Sequence, residues 1–277
     1  MINFLSINWN VDPVMFSIGS IEIRYYSMMF VISFILGMYI FGNMLKRENK
    51  DHRLLEKVFY AVFISTILGA RIGHCLFYEG AYYIANPHEI FLPIKDGKWV
   101  GYHGLASHGA AIGILIGLYY FSRKNKLAYL WTLDRIVITI ALAGFFIRMG
   151  NLMNSEIYGN ATDAPWGFIF VRAGEVIAKH PTQLYEAFSY LLIFGILYFM
   201  YFKFKPEVKM PNGVIFSIFL ILLFTARLLI EFIKEPQVEN EYLWGLNIGQ
   251  RLSIPFIIAG IAILLYVYWQ KKKEKVK

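Results

Sequence analysis

The chain has 277 residues and a net charge of +8; 57% of its residues are hydrophobic, 18% are aromatic and only 17% are charged. Soluble domains average about 45–50% apolar and about 25% charged residues, so this composition excludes intrinsic disorder and argues against an ordinary soluble enzyme. The single cysteine excludes an internal disulfide and a thiolate metal cluster.

Seven apolar stretches of spanning length follow one another along the chain. They are residues 26–44, 58–78, 104–122, 133–150, 185–202, 213–232 and 252–270. A membrane-crossing helix needs about 20 mostly apolar residues. The strict alternation of a membrane β-barrel is absent, and no repeat of solenoid length occurs. The sequence therefore predicts an all-α polytopic membrane protein with seven transmembrane helices, in which residues 1–277 form a single domain.

The distribution of lysine and arginine predicts the orientation of these spans. The segments after the first, third, fifth and seventh spans contain 16 of these residues, whereas the segments on the opposite side contain 7. Short loops rich in lysine and arginine face the cytoplasm. We therefore expect the N-terminus outside and the C-terminus in the cytoplasm, and we attribute the basic charge to topology rather than to nucleic-acid binding.

Most polar and ionisable side chains of the spans fall at one depth. In the predicted orientation they lie near the outer ends of separate helices, and only Arg135 lies plainly at the inner side. They are Tyr26, Arg71, His74, His108, Arg148, Asn151, Asn154, Glu156, Glu186, Arg227, Glu231, Gln250 and Arg251. Ionisable groups within a membrane are costly and are candidates for function. Because guanidinium groups suit phosphate oxygens and an imidazole can move protons near neutral pH, the set predicts a site for an anionic phospholipid head group at the outer leaflet.

Other interpretations of these residues remain open. Polar side chains can join helices by hydrogen bonds, which explains any one residue better than the whole set at one depth. A transporter or channel would distribute charged groups through the full depth of the membrane. A structural scaffold would tolerate the loss of Arg148 and His108. His103 and His108 have too few potential partners for a zinc site.

Several motifs occur in chain order. Residues 148–159, RMGNLMNSEIYG, form the longest one. This segment resembles the signature of bacterial phosphatidylglycerol–prolipoprotein diacylglyceryl transferases, approximately R-x-G-N-x-x-N-[GS]-E-x-x-G. Residues 69–71, 107–113, 180–186, 227–236 and 249–253 are similar to the family's G-A-R, histidine–glycine, H-P-[ST]-Q-L-Y-E, R-x-x-x-E…E-P and G-Q-x-L-S motifs. The resemblance covers nearly the whole chain.

The resemblance implies a reaction, its partners and a location. Members of the family move the diacylglyceryl group of phosphatidylglycerol to the lipobox cysteine of a prolipoprotein signal peptide, so that a thioether forms and glycerol phosphate leaves. The expected partners are therefore phosphatidylglycerol, prolipoproteins and membrane lipid, with no nucleic acid. No cofactor and no metal are implied. The expected location is the bacterial cytoplasmic (inner) membrane.

The resemblance also implies roles for residues at the motif positions. Arg148 and Arg227 would hold the lipid phosphate and neutralise the leaving group, and His108 would help to remove the thiol proton, directly or through water. The implied substrate-binding residues are Tyr26, Arg71, Arg148, Asn151, Asn154, Glu156, Gly159, Glu186 and Glu231.

Three positions carry more detailed expectations from the same resemblance. Gly159 would permit a close backbone approach. Glu231 would orient an arginine one helical turn earlier on the same face. Leu223 is a departure, because some members of the family carry a functional tyrosine four residues before the arginine of the sixth span.

Overall fold

The computed structural model describes residues 6–19, 21–77, 80–92, 94–95, 98–99, 106–203, 210–236 and 245–276. Helices dominate these ranges: α1 (Tyr25–Arg47), α2 (Arg53–Phe77), α3 (Gly80–Ala85), α4 (Ser107–Lys124), α5 (Tyr129–Met153), α6 (Thr182–Lys203), α7 (Val214–Ile230) and α8 (Ile248–Val276). Short 3₁₀ turns follow at Pro87–Ile90, Val171–Ala173 and Glu231–Ile233. Among the described residues, six helices are long and apolar enough to cross a membrane: α1, α2, α5, α6, α7 with its 3₁₀ turn, and α8. The prediction of a polytopic, mostly helical membrane protein is confirmed.

The third predicted span is less apolar than the six helices above. It corresponds to α4, which begins at Ser107; residues 104 and 105, like residue 78 at the end of the second predicted span, lie outside the described residues. The helix has 18 residues but is not one of the six. His108 near its start, with Arg123 and Lys124 in its last turn, lowers its mean hydropathy. The seven-span arrangement and its orientation stay predictions.

Short strands accompany the helices. They are β1 (Ile7–Trp9), β2 (Val14–Ile18), β3 (Ile21–Arg24), β4 (Ile94–Lys95), β5 (Lys98–Trp99) and β6 (Phe168–Phe170). The pairs β2–β3 and β4–β5 are antiparallel, whereas β1 and β6 are parallel. Trp9 of β1 donates its indole N–H to the carbonyl of Leu152 over 2.9 Å and packs on Phe168. This packing fixes the chain that leaves the C-terminal end of α5.

The chain divides into two compact units: a larger one formed by Met1–Phe41 with Asp134–Lys277, and a smaller one formed by Gly42–Leu133. In the larger unit, Asp134 near the start of α5 accepts hydrogen bonds from the backbone N–H groups of Gly213 (2.7 Å) and Phe216 (2.8 Å). A carboxylate at a helix N-terminus satisfies unpaired donors and suits the helix dipole. This contact joins one end of α5 to the start of α7.

Close packing of α2 against α4 organises the smaller unit. A Cβ added to Gly73 on α2 would lie 2.6 Å from the Cα of Gly109 on α4, and one added to Gly69 would lie 2.9 Å from the Cα of Gly113. Small residues four positions apart allow helix backbones to approach this closely within a membrane. His108 therefore stands on the first turn of a helix that is held by backbone contact.

Candidate active site

The signature segment 148–159 comprises the end of α5 and the loop that follows. Ser155 and Ile157 in this loop have φ values of +54° and +63°. Left-handed backbone is uncommon for residues other than glycine, and it is a genuine outlier for a β-branched residue such as isoleucine. Such strain persists only where the surroundings over-determine it, which is characteristic of functional sites.

The start of α6 holds this loop in place. The hydroxyl of Thr182 donates to the carbonyl of Ile157 over 3.0 Å, and the side-chain amide of Gln183 donates to the carbonyl of Glu156 over 2.7 Å. Both side chains are fully buried. The loop backbone is therefore fixed by two side chains of the HPTQLYE segment, which explains how a strained conformation is maintained.

Gly159 ends the loop at a crowded position. A Cβ on this residue would lie 2.5 Å from the carbonyl oxygen of Ile233, 2.7 Å from Cγ2 of Thr182 and 2.8 Å from Cβ of His180. The Gly159 N–H donates to the carbonyl of His180 (2.8 Å), and the next residue, Asn160, donates to the carbonyl of Ile233 (2.9 Å). The close backbone approach expected at Gly159 is present, and the groups that approach it are Ile233, Thr182 and His180 of the same chain.

Four of the predicted residues form one hydrogen-bonded chain. Nη1 of Arg148 donates to Oδ1 of Asn151 over 3.1 Å, and Nδ2 of Asn151 donates to Oε1 of Glu156 over 2.7 Å. Nδ2 of Asn154 reaches the same oxygen of Glu156 over 3.2 Å. Asn151 thus orients the guanidinium group and the carboxylate relative to each other, and Asn154 adds a second hydrogen bond to that carboxylate.

Ion pairs extend this chain to α6 and to the segment that follows α7. Nε of Arg148 lies 2.8 Å from Oε2 of Glu186. Nζ of Lys234 lies 3.6 Å from Oε1 of Glu186 and 3.6 Å from Oε2 of Glu231. Glu186 is fully buried, and Glu231 and Lys234 are only 6% and 4% exposed. Burial lowers the pKa of Lys234 below its usual value, while the Glu186 and Glu231 carboxylates oppose that shift and favour the ammonium form.

Arg227 and Tyr26 are the remaining predicted residues of the larger unit. Arg227 is half-buried on α7. Within the described residues Glu231, one turn later, pairs with Lys234, and no ion pair of Arg227 is seen there. The ring of Tyr26 packs on Gly150, where a Cβ would lie 2.7 Å from its Cδ2 atom. The structure therefore places nine predicted residues in the larger unit: Tyr26, Arg148, Asn151, Asn154, Glu156, Gly159, Glu186, Arg227 and Glu231.

The two remaining predicted residues, Arg71 and His108, belong to the smaller unit. Nε of Arg71 donates to the carbonyl of Ile90 (3.0 Å) and Nη2 donates to that of Glu89 (2.8 Å), while the guanidinium group lies 5.1 Å from the ring centre of Tyr83. Arg71 thus stabilises the 3₁₀ turn before residue 91, and its role in substrate binding stays a prediction. His108 is exposed on α4.

The geometry of the larger unit, with two arginines and alternating carboxylates at the ends of α5, α6 and α7, agrees with a site for an anion. The family model for prolipoprotein diacylglyceryl transferase matches residues 13–266. The chain belongs to this family. The resemblance inferred from the motifs is confirmed.

Named relatives match over almost their full length. The chain is 40% identical to the phosphatidylglycerol–prolipoprotein diacylglyceryl transferase of Bacteroides fragilis over 276 residues, which is 98% of each chain. It is 41% identical to the protein of the same name from Tolumonas auensis over 258 residues, 93% of this chain and 96% of the relative. The protein of that name from Chloroherpeton thalassium is 41% identical over 268 residues, 96% of each.

Sequence reasoning missed several residues of this diacylglyceryl transferase family member. Lys234 joins Glu186 to Glu231, and Thr182 and Gln183 hold the signature loop. Tyr190, one helical turn after Glu186, is buried and interacts electrostatically with Arg148. Lys234 could have been found from its position, because it lies three residues after Glu231 and directly before the E-P pair of the sixth-span motif.

A second ionic cluster lies outside the ion pairs that Glu186 forms with Arg148 and Lys234. The Tyr158 hydroxyl donates to Oε1 of Glu175 over 2.8 Å, and Nζ of Lys179 lies 3.4 Å from Glu175 and 2.8 Å from Glu235. Burial and the Glu175 hydrogen bond raise the pKa of Tyr158 to about 12. Burial alone would lower the pKa of Lys179, but Glu235 and Glu175 more than offset it, so this pKa is raised. We call Tyr158, Glu175, Lys179 and Glu235 the outer cluster. It connects the signature loop to the segment after α7.

Proposed function

We propose that the chain transfers the diacylglyceryl group of phosphatidylglycerol to the lipobox cysteine of prolipoproteins, and that the larger unit binds the lipid phosphate. The observation that carries this proposal is the fixed orientation of the Arg148 guanidinium group. This group is oriented by Asn151 and Glu186 at the end of α5, while the half-buried Arg227 on α7 has no ion pair among the described residues. Two such groups suit the oxygens of one phosphodiester.

The proposed reaction is an alkyl transfer to sulfur. The cysteine thiolate attacks the glyceryl carbon that carries the phosphate, a C–S bond forms, and the C–O bond breaks with its electron pair on the phosphate oxygen. Glycerol phosphate leaves with one more negative charge than the phosphodiester had. Arg148 and Arg227 stabilise this developing charge. Since the thiolate is the nucleophile, the thiol must first lose its proton, and His108 is the proposed acceptor, directly or through water.

The proposed arrangement in the membrane supports this reaction. We place α4 as the third of seven spans, the N-terminus outside and the lysine-rich C-terminus in the cytoplasm of a bacterial cell, with the enzyme in the inner membrane. The supporting observation is the excess of lysine and arginine in the segments assigned to the cytoplasm, 16 against 7. This orientation puts Arg148 and Arg227 near the outer ends of their helices, within reach of outer-leaflet head groups.

A reconstituted assay tests the function. Purified protein is incubated with phosphatidylglycerol and a peptide containing a lipobox cysteine, and the products are identified by mass spectrometry. We expect the peptide to gain one diacylglyceryl group through a thioether. A matched peptide with serine in place of the cysteine should gain nothing. Equal modification of the two peptides, or no thioether from the native protein, would refute the proposal.

Labelling tests the orientation separately. The protein with Lys277→Cys is treated in intact cells with a membrane-impermeant thiol reagent, and Cys75 is buried and so contributes little background. We expect labelling only after permeabilisation. Labelling of the tail in intact cells would show that the C-terminus lies outside, opposite to the proposed orientation.

A further inference from the structure

Lys234 is a buried lysine at the centre of the ionic part of the site. It follows the 3₁₀ turn Glu231–Ile233 and is only 4% exposed. Its backbone pairs with Gly159 in an antiparallel bridge, flanked by the hydrogen bond from the Asn160 N–H to the carbonyl of Ile233. The signature loop therefore fixes the backbone from which this ammonium group extends between two carboxylates.

Lys234 lies among cations and carboxylates that are closely matched in number. Its strongest electrostatic neighbours are Glu186, Arg148, Glu231 and Arg227. With Lys234 itself, they comprise three cations and two carboxylates, so the group carries a net charge of +1 when all are ionised. Glu156 adds a further carboxylate along the chain, and it is engaged by the amides of two asparagines. With Glu156 counted, cations and carboxylates are equal in number, so a bound phosphodiester would compete with these carboxylates for the same cations.

Glu186 is shared between two cations. Its Oε2 lies 2.8 Å from Nε of Arg148, and its Oε1 lies 3.6 Å from Nζ of Lys234. A phosphate bound to Arg148 would place a second anion beside a fully buried carboxylate. Like charges in a buried site repel strongly, and a buried charge without a partner is destabilising. The Glu186 carboxylate then requires a cation other than Arg148.

We propose that Lys234 is this cation: when the lipid phosphate occupies Arg148, Lys234 neutralises Glu186 and thereby acts as a positioning residue for lipid binding. This inference rests on the proposed function, since it assumes a phosphodiester substrate. Lys234 touches Glu231 as well, which keeps it at the site in both states.

The test compares two buried lysines. Lys179 in the outer cluster is 6% exposed and also contacts two carboxylates, Glu175 and Glu235, so Lys179→Met is a matched control for Lys234→Met. Transfer to the lipobox peptide is measured against the mole fraction of phosphatidylglycerol in detergent micelles. We expect Lys234→Met to raise the KM for the lipid by about tenfold or more. Lys179→Met should leave that KM unchanged, and Lys234→Arg should restore it.

A charge-neutral background tests the role of Glu186 directly. If Lys234 neutralises Glu186, the rise in KM caused by Lys234→Met should be smaller when Glu186→Gln is already present. An equal rise in both backgrounds would overturn the proposal, as would the same rise in Lys179→Met. Melting temperatures identify a variant that does not fold. If Lys234→Met does not fold, Lys234→Arg replaces it in the test, and a KM for the lipid well above the native value in Lys234→Arg would overturn the proposal. The native protein, run in parallel, separates this failure from failure of the proposed function, because only the latter abolishes native transfer.

Discussion

Replacing Gly159 by alanine should destabilise the site because the added methyl group has no free direction. The carbonyl of Ile233 at 2.5 Å and Cβ of His180 at 2.8 Å belong to the main chain or lie directly on it, so neither can rotate away. Cγ2 of Thr182 at 2.7 Å could turn only by giving up the hydroxyl's hydrogen bond to the carbonyl of Ile157. Overpacking of this kind costs about 1–3 kcal/mol. With three obstructed contacts we expect the upper part of that range, about 2–3 kcal/mol.

The same helix bundle supplies a matched control. A Cβ added to Gly195 on α6 would meet nothing within 4 Å. Alanine there should leave stability unchanged or improve it slightly, since alanine favours helix over glycine by about 1 kcal/mol. For Gly159→Ala we expect the melting temperature in detergent to fall by about 4–12 °C, from the usual shift of 2–4 °C per kcal/mol in chains of this size. Transfer should also fall, because the displaced segment carries Lys234. Equal melting temperatures for both alanine variants would refute the reasoning.

The remaining predictions concern charge and protonation. Arg148→Lys and Arg227→Lys should fold but lose most transfer to a lipobox peptide, because lysine lacks the planar fork with which Arg148 reaches two partners; near-native rates would contradict this. His108→Ala should bind lipid yet lose about 10²–10⁴-fold in turnover, whereas the exposed His52→Ala should be mild; equal losses would place the proton acceptor elsewhere. The raised pKa of Tyr158 favours its neutral form in the folded protein, so its stabilisation should be complete below about pH 10 and lost as the pH rises to about 12. Melting scans of Tyr158→Phe should lack this part of the alkaline decline.

The helices were predictable from composition, but their ends were not. The predicted span 58–78 forms α2 from Arg53 to Phe77, and the span 133–150 forms α5 from Tyr129 to Met153. α2 begins before its apolar stretch and α5 extends beyond its stretch at both ends, because backbone hydrogen bonds of a helix continue through polar residues. The strands were not predicted, since segments of two to five residues are too short to show alternation.

The membership of the site was largely predictable, whereas its pairings were not. Depth in the membrane and the motifs together selected Arg148, Asn151, Glu186 and Glu231, all of which meet in one unit. Depth does not specify which side chains face each other around the helix axes. The partner of Glu231 within the described residues is Lys234, which the depth argument did not select because it follows the sixth predicted span.

The buried ion pairs of Glu186 also indicate whether these charged residues serve only to stabilise the fold. Glu186 is fully buried, and each of its oxygens depends on a cation from a different segment, Arg148 on α5 and Lys234 after α7. Buried ion pairs of this kind are often no more stable than well-packed apolar side chains of similar volume. A scaffold within a membrane would therefore gain little by keeping two carboxylates and three cations together. In the proposed reaction the phosphate group gains a negative charge as it leaves. A site that binds this group requires cations in fixed positions, and carboxylates beside them hold those cations in place.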